Sequence, residues 1–385
     1  MKIVIVSWGK EGKQLYHLLK NSGRDRYEVC WIAEENSALW QVLNEGTEKE
    51  VRVGSYGGAV RLFQEGEADR FLIPSVSENP NGWSISEKIG HFGIPESAML
   101  YAPVEVFRED SLSENQKIDL ICPFEKRREL DFMEVHAADH CNLNCKNCSM
   151  FSGLVKGEVY ADYEKTAAGL RKLKEFFTHV KVFRVLGGEP LLNERLSDYL
   201  YLIREIYPYA EIRVISNGIL VPKMSGELIQ ALRENDVSFI VTGYPALDGI
   251  ADQVNDFLRG KKIRHVVSPT VMQFQKIYNA GGNSDIRSTF SNCNWKNTCA
   301  NMKKGRIAAC FVPFVFPYFS EQFKLDLPKD ESIDLFEAGL TTEIIRTRME
   351  QPMELCKYCV SERCFAKWER MDKDSLNNIE DWAVK

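Results

Sequence analysis

The sequence predicts an α/β protein, and three observations predict it. Through the first ~120 residues, short apolar runs of β type alternate with amphipathic helical stretches. The alternation starts afresh near residue 125 and continues to about residue 285. The last hundred residues abandon it for a segment rich in cysteine. Strands that alternate with helices imply parallel sheets covered by helices. A chain of 385 residues is long enough for two or three domains of ordinary size. We expect three, over 1–122, 123–285 and 286–385.

In the first region Ile3–Val6 reads as a strand that leads into Gly9-Lys-Glu-Gly12 and an amphipathic helix over Gln14–Leu19. A strand follows at Tyr27–Ala33, then an apolar Val51–Val53, a helical stretch near Gly58–Gln64 and a strand at Phe71–Ile73. Gly93-Ile94 and Met99–Tyr101 close the pattern. The first strand–helix turn carries G-x-x-G, short of the full G-x-G-x-x-G of dinucleotide folds. Glu34 and Glu35 end the second strand about twenty residues on, where a ribose-binding acid would stand. Cys30 and Cys122 read as packing, because an isolated buried Cys behaves as a small hydrophobe.

In the second region strands are expected near Phe132–Ala137, Val182–Leu186, Ile212–Ile215, Phe239–Val241 and His265–Val267. Helices are expected at Tyr163–Phe177, Leu192–Ile206, Gly226–Asn235 and Ala251–Arg259. Three polar runs each follow a strand and so share the carboxyl-end face, where barrel sites are built. After the first strand come Cys141, Cys145 and Cys148 at C-x3-C-x2-C spacing. Three thiolates so placed hold three irons of a [4Fe-4S] cube and leave the fourth open to an outside ligand. A zinc knuckle and plain buried thiols are the alternatives. After the second strand comes Gly187-Gly188-Glu189-Pro190. Its glycines let the backbone approach a ligand, and its carboxylate suits an ammonium group. After the third comes Ser216-Asn217-Gly218. His136 and His140 lie beside this face and read as satisfied structural histidines.

The third region holds Cys293, Cys299, Cys310, Cys356, Cys359 and Cys364. Gly305 stands five residues before Cys310, as in a hairpin, and Cys356 and Cys359 form a C-x2-C pair. Thiolates alone do not separate an Fe–S cluster from a structural zinc.

The cysteine run, the Gly-Gly-Glu-Pro turn and the Ser-Asn-Gly turn, in this order and each at a strand end, resemble the signature of the radical S-adenosylmethionine (SAM) enzymes. The resemblance implies an open partial (β/α)6 barrel, TIM-like but not closed. It also implies a cluster at Cys141, Cys145 and Cys148. SAM would be bound by Gly187, Gly188, Glu189 and Pro190 with Ser216 and Asn217. An electron donor such as flavodoxin or ferredoxin would serve it. Many members have an aromatic residue before the third cluster Cys; here it is Asn147, which leaves the adenine contact to Phe151. The Cys-rich tail resembles SPASM and twitch extensions, which implies one auxiliary [4Fe-4S] cluster ligated from its six cysteines. The spacing after Cys359 is x4 and nothing follows Cys364, short of the full SPASM pattern. The first region resembles the small Rossmann-like domains of sugar-modifying acyltransferases, which bind nucleotide sugars; a scaffold or docking domain with an empty crevice is the other reading.

Asn217-Gly-Ile-Leu220, Thr242-Gly-Tyr-Pro245 and Met353-Glu-Leu-Cys-Lys-Tyr-Cys359 extend the resemblance to members associated with sugar assembly. The expected function is therefore a radical SAM oxidoreductase acting on a small-molecule substrate, a carbohydrate or nucleotide sugar. A ribosomal-peptide maturase is the second enzyme reading and a zinc-held scaffold the non-enzyme one. The sequence names no catalytic acid or base. A net charge of −6 and a pI near 5.7 argue against a nucleic-acid partner. No apolar run approaches the roughly 18 residues of a membrane span. Met1–Val6 is too short for a signal peptide. Eleven cysteines without a secretion signal suit a reducing cytoplasm.

Overall fold

Ile3, Val4, Ile5 and Val6 are all fully buried, so the first strand lies at the centre of its sheet with both faces covered. The computed structural model describes residues 1–6, 9–23, 25–40, 51–75, 85–296, 300–326, 328–372 and 376–384. They divide into two compact units, 1–129 and 130–385.

The first unit runs β1 (Lys2–Val6), α1 (Lys10–Ser22), β2 (Glu28–Ala33), β3 (Arg52–Gly54), α2 (Tyr56–Gln64), β4 (Arg70–Pro74), α3 (Ile85–His91), β5 (Met99–Ala102), α4 (Glu105–Arg108), α5 (Glu114–Asp119) and β6 (Cys122–Pro123). The strand order is β3-β2-β1-β4-β5-β6, parallel throughout except for β6 at the edge. The order 3-2-1-4-5 is that of doubly wound nucleotide-binding sheets. Each face has its own core: Ile3, Ile5, Leu15 and Leu19 on one side, Val4, Val6, Ala59 and Phe71 on the other. The strands expected at Ile3–Val6, Tyr27–Ala33 and Phe71–Ile73 are present, and the apolar runs Val51–Val53 and Met99–Tyr101 fall on β3 and β5, whereas α3, α4 and α5 were not read from the sequence. Each of the three spans seven residues or fewer, too short to display a helical period. Gly12 is buried inside α1. Glu34 accepts from the Asn36 N–H and Glu35 from the Tyr56 N–H, each at 2.9 Å, so Glu34 fastens a local turn and Glu35 the start of α2. Cys30 and Cys122 pack on the second of these cores, and the Cys30 thiol donates to the Ile3 carbonyl at 3.3 Å.

The second unit begins with β7 (Glu129–Ala138), whose first residue is the last of the first unit. It continues α6 (Tyr163–Phe176), β8 (His179–Gly187), α7 (Leu196–Ile206), β9 (Glu211–Ser216), α8 (Gly226–Glu234), β10 (Ser238–Val241), α9 (Ala251–Gly260) and β11 (His265–Val267). The five strands lie side by side in the order β11-β10-β9-β8-β7, and the pairs β8–β9, β9–β10 and β10–β11 are parallel. This is an open partial barrel. Its core is Met133, Val135, Phe183, Val185, Ile212 and Val214 packed on the inner faces of α6 to α9.

The next strand, β12 (Gln273–Tyr278), does not join β11 as a sixth barrel strand. Gln273, Gln275 and Lys276 make it too polar to be covered on both faces. It pairs antiparallel with β16 (Cys359–Lys367) instead. Between them lie α10 (Ile286–Ser291), β13 (Asn301–Lys303), β14 (Arg306–Ala308), α11 (Val312–Phe323), β15 (Ile333–Asp334) and α12 (Thr342–Met349). β13 and β14 form the expected hairpin. Lys304 and Gly305 turn at φ 51° and 75°, as a two-residue type I′ loop requires. β13 then docks parallel on the free edge of β7, so the Cys-rich region extends the barrel's own sheet to eight strands.

That junction is polar and buried. Glu134 meets Arg184 at 3.2 Å and accepts from the Asn301 amide at 3.3 Å. The His136 ring lies 3.1 Å from the Asn301 amide nitrogen and 2.9 Å from Asp139. Lys303 and Tyr318 donate to the other Asp139 oxygen. Burial pushes the Asp139 carboxyl up, but His136 and Lys303 more than reverse this and hold it well below the usual carboxylate range. An aromatic core of Phe151, Tyr278, Phe316, Phe319 and Trp382 joins the cluster loop to the chain's last described residues.

Trp382 is 1 % exposed in that core. Trp382→Ala should destabilise the second unit by about 3–5 kcal/mol, the usual range for a buried Trp. Urea unfolding of the full chain checks this; an unchanged midpoint would mean the last residues are not part of the core.

Candidate cluster and cofactor site

The site begins where β7 ends. The loop that carries Cys141, Cys145 and Cys148 turns at Asn147 and Phe151, whose φ values of 59° and 51° are left-handed. Strain of this kind persists only where surrounding contacts fix it, and the far end of the chain supplies them. The Lys146 N–H donates to the Glu369 carbonyl at 2.8 Å, Asn147 N–H to Asp381 O at 2.8 Å, and Met371 N–H to Asn144 O at 2.7 Å. The Lys146 ammonium meets Asp381 at 2.8 Å, and the Tyr278 hydroxyl donates to the Ser149 carbonyl at 2.7 Å. His140 sets its Nδ1 on the Val159 backbone, 3.0 Å from the nitrogen, and serves as a structural residue.

The three sulfurs line one cavity of about 350 Å³. Burial pushes the Cys141 and Cys145 thiols up to about 12, reinforced by the neighbouring thiols. Such groups become thiolates only with a strong positive partner, which a metal centre supplies. Few chain donors offset the charge: Cys141 Sγ lies 3.4 Å from the Leu143 N–H and 3.7 Å from the Asn217 amide, and Cys145 Sγ 3.3 Å from the Trp368 indole N–H.

Gly187 and Gly188 line the same cavity. A Cβ at Gly187 would stand 2.0 Å from the Ala138 carbonyl oxygen and one at Gly188 2.1 Å from that of His140. Only glycine lets the end of β8 lie flat on the cluster loop, where Gly188 N–H bonds Ala138 O at 2.7 Å. Glu189 is fully buried and faces inward. It accepts from the Ser216 hydroxyl at 2.8 Å, the Asn217 N–H at 2.9 Å and the Leu191 N–H at 3.1 Å. Burial still raises its pKa to about 7. Pro190 is buried at the start of the short turn Pro190–Leu192. The cavity thus presents the backbone of Gly187 and Gly188 with Ser216 and Asn217, while the Glu189 carboxylate braces them from behind.

Phe151 does not reach the cavity. It is stacked between Tyr278 and Phe319 at 4.3 and 4.7 Å in the aromatic core. Asn147 and Ser152 do line the cavity, and the Asn147 amide and Ser152 hydroxyl are buried without a partner among the described residues. Buried polar atoms left so are expected to meet a ligand. Thr242 and Tyr244 from the Thr-Gly-Tyr-Pro run, with Phe274, Trp295 and Phe311, form the remaining walls. Phe274, Trp295, Phe311 and Trp368 stand in no local motif, so nothing in the residue pattern marks them.

A second cavity of about 90 Å³ is lined by Cys293, Cys310, Cys356 and Cys359. Burial, with the neighbouring thiols, pushes Cys310 and Cys359 well up. The two cavities share Gln275, Ile277, Trp295 and Phe311. Cys364 is exposed on β16 opposite Lys276 and lines neither. Cys299 lies outside the described residues. Among the described residues no group of three or more His, Cys, Asp or Glu side chains forms the shell of a single metal ion. A lone zinc needs four ligands about 2.3 Å from one point. A cube-shaped cluster takes each thiolate on a separate iron, so thiols spaced around a cavity fit the cluster.

The radical SAM superfamily profile matches residues 136–268, from β7 to just past β11. A GTP 3′,8-cyclase of Clostridium acetobutylicum is 31% identical over 106 residues, 27% of this chain and 32% of its own length. That of Alkaliphilus oremlandii is 25% identical over 148 residues, 36% of this chain and 42% of its own. The chain thus spans 32% to 42% of the length of these relatives. Among solved structures, BtrN in complex with AdoMet and 2-DOIA shares 20% identity at a TM-score of 0.37, over 60% of this chain and 92% of its own. Streptococcus suis SuiB bound to precursor peptide SuiA shares 10% at 0.29, over 59% and 46%. With its three thiols, two glycines and Ser-Asn turn on one cavity, the stretch 136–268 is a radical SAM domain, the kind that takes a [4Fe-4S] cluster and SAM.

Proposed function

We propose that the chain is a radical SAM oxidoreductase acting on a carbohydrate or nucleotide-linked substrate. The observation that carries this reading is the convergence of Cys141, Cys145, Cys148, Gly187, Gly188, Ser216 and Asn217 on one cavity. When bound, the cofactors supply one-electron reductive cleavage of SAM and removal of a hydrogen atom from an unactivated C–H bond. Cys141, Cys145 and Cys148 hold the cluster. The backbone of Gly187 and Gly188, with Ser216 and Asn217, orients SAM, and Glu189 and Pro190 fix that backbone. Cys293, Cys310, Cys356 and Cys359 hold one auxiliary [4Fe-4S] cluster. Tyr244, Phe274, Trp295 and Phe311 exclude water and present ring faces that suit the C–H faces of a sugar.

None of the described residues lining the main cavity is Lys or Arg. A bare triphosphate, the substrate named by the GTP 3′,8-cyclase relatives, would find no cationic partner there. We read the reacting part of the substrate as a neutral ring, and propose separately that the unit of residues 1–129 binds a nucleotide. The electron comes from a ferredoxin or flavodoxin. No described helix is long and apolar enough to cross a membrane, and we place the protein in the cytoplasm.

Replacing Cys141, Cys145 and Cys148 together by Ala should remove about half of the iron of a two-cluster protein and abolish 5′-deoxyadenosine formation under dithionite. Unchanged iron per chain would sink the two-site reading. Glu189→Gln turns one buried acceptor into a donor facing a backbone N–H, a mismatch of about 1–3 kcal/mol. SAM affinity should fall about tenfold with iron retained; equal affinity in a SAM titration would remove Glu189 from the site. Residues 130–385 alone should still form 5′-deoxyadenosine while product formation falls steeply, since remote binding energy positions the reacting carbon. Normal turnover by this fragment would make the first unit a scaffold.

A further inference from the structure

Among the contacts to the three cluster-loop sulfurs, one comes from a residue remote in sequence that belongs to no motif. Trp368 follows β16 and is 223 positions from Cys145, yet its indole N–H donates to Cys145 Sγ at 3.3 Å. Its placement is fixed from several sides. The Trp368 N–H bonds the Met272 carbonyl at 2.8 Å, and the next residue, Glu369, accepts from Lys146 N–H at 2.8 Å. Arg370 bridges to the Cys145 backbone. The indole ring lies 6.2 Å from the Tyr244 ring at an interplanar angle of 17°, and Tyr244 lines the cavity.

We propose that Trp368 sets the reduction potential of the cluster held by Cys141, Cys145 and Cys148, by donating its indole N–H to the Cys145 sulfur. The inference rests on the cluster reading above. Reduction brings in one electron from a low-potential one-electron carrier; no proton moves and no bond breaks. The added negative charge falls partly on the ligating sulfurs, and an N–H donor stabilises the reduced form more than the oxidised one. Hydrogen bonds to cluster sulfurs are among the established determinants of potential. Trp368 therefore raises the potential and eases electron entry, as a tuning residue that takes no part in the chemistry.

Trp368→Phe in the cluster-loaded full chain keeps a ring against Tyr244 and removes the N–H. The readout is a redox titration of the EPR signal that responds to added SAM, which separates this cluster from the auxiliary one. The reduction equilibrium should move about tenfold towards the oxidised form, a potential 59 mV more negative for one electron. Iron content and SAM affinity should hold. An unchanged potential overturns the assignment to Trp368 and leaves the cluster reading intact; no SAM-responsive signal in the wild-type protein overturns both. If the variant loses its cluster, wild-type protein labelled with 15N-indole tryptophan supplies the second measurement. Pulsed EPR of the reduced cluster should show a weak 15N coupling, and its absence overturns the proposal.

Discussion

The carboxylate of Glu189 is the tie on which the site depends. It has no solvent exposure and accepts from three chain donors, two of them on Ser216 and Asn217 at the end of β9. Its own N–H reaches the His140 carbonyl at 3.1 Å, at the end of β7. One residue thus couples the exits of three strands. Without that coupling the cysteines, the paired glycines and the Ser-Asn turn would be three separate loops on a barrel rim. The gain lies in positioning, because a buried acceptor with its donors in place holds its neighbours against thermal motion.

The barrel alone does not complete the site. Its β7 edge is closed by β13, and its cluster loop is held by backbone bonds from residues near the chain's end. The buried polar chain Glu134–Asn301–His136–Asp139–Lys303 runs along this junction, each member in contact with the next, while the Asn301 amide oxygen has no partner among the described residues. Breaking one member would leave a buried charge unpaired, which is strongly destabilising. The Cys-rich region therefore both builds a second thiol-lined cavity and finishes the first. Gln275, Ile277, Trp295 and Phe311 belong to the walls of both cavities.

What could be read from the sequence follows physical range. The strands β1, β2, β4 and β7 to β11 were legible because each holds a short apolar run bounded by turn residues, whereas β3 and β5 were legible only as apolar runs. The cysteine spacing and the Gly-Gly-Glu-Pro turn were legible because their chemistry is local. The role of Glu189 was legible only as a carboxylate near a ligand, since its inward orientation depends on donors 27 and 28 positions away. Phe151 was expected at the adenine, but three core rings from distant elements hold it in the aromatic core. Trp368 and the pairing of β12 with β16 were not legible, because register across such separations leaves no local pattern. The antiparallel pairing also explains why Cys364 stands apart: it faces out on β16 while Cys359, five positions earlier, faces the thiol cavity.

The central claim is that the cavity at Cys141, Cys145 and Cys148 holds a cluster with one iron open to SAM. Mössbauer spectroscopy of the 57Fe-loaded chain, with and without SAM, tests it most directly. The account predicts that SAM shifts the signal of one iron of one four-iron cluster and leaves the auxiliary cluster unchanged. A spectrum indifferent to SAM, or a chain that takes up zinc in place of iron at these thiols, would contradict it.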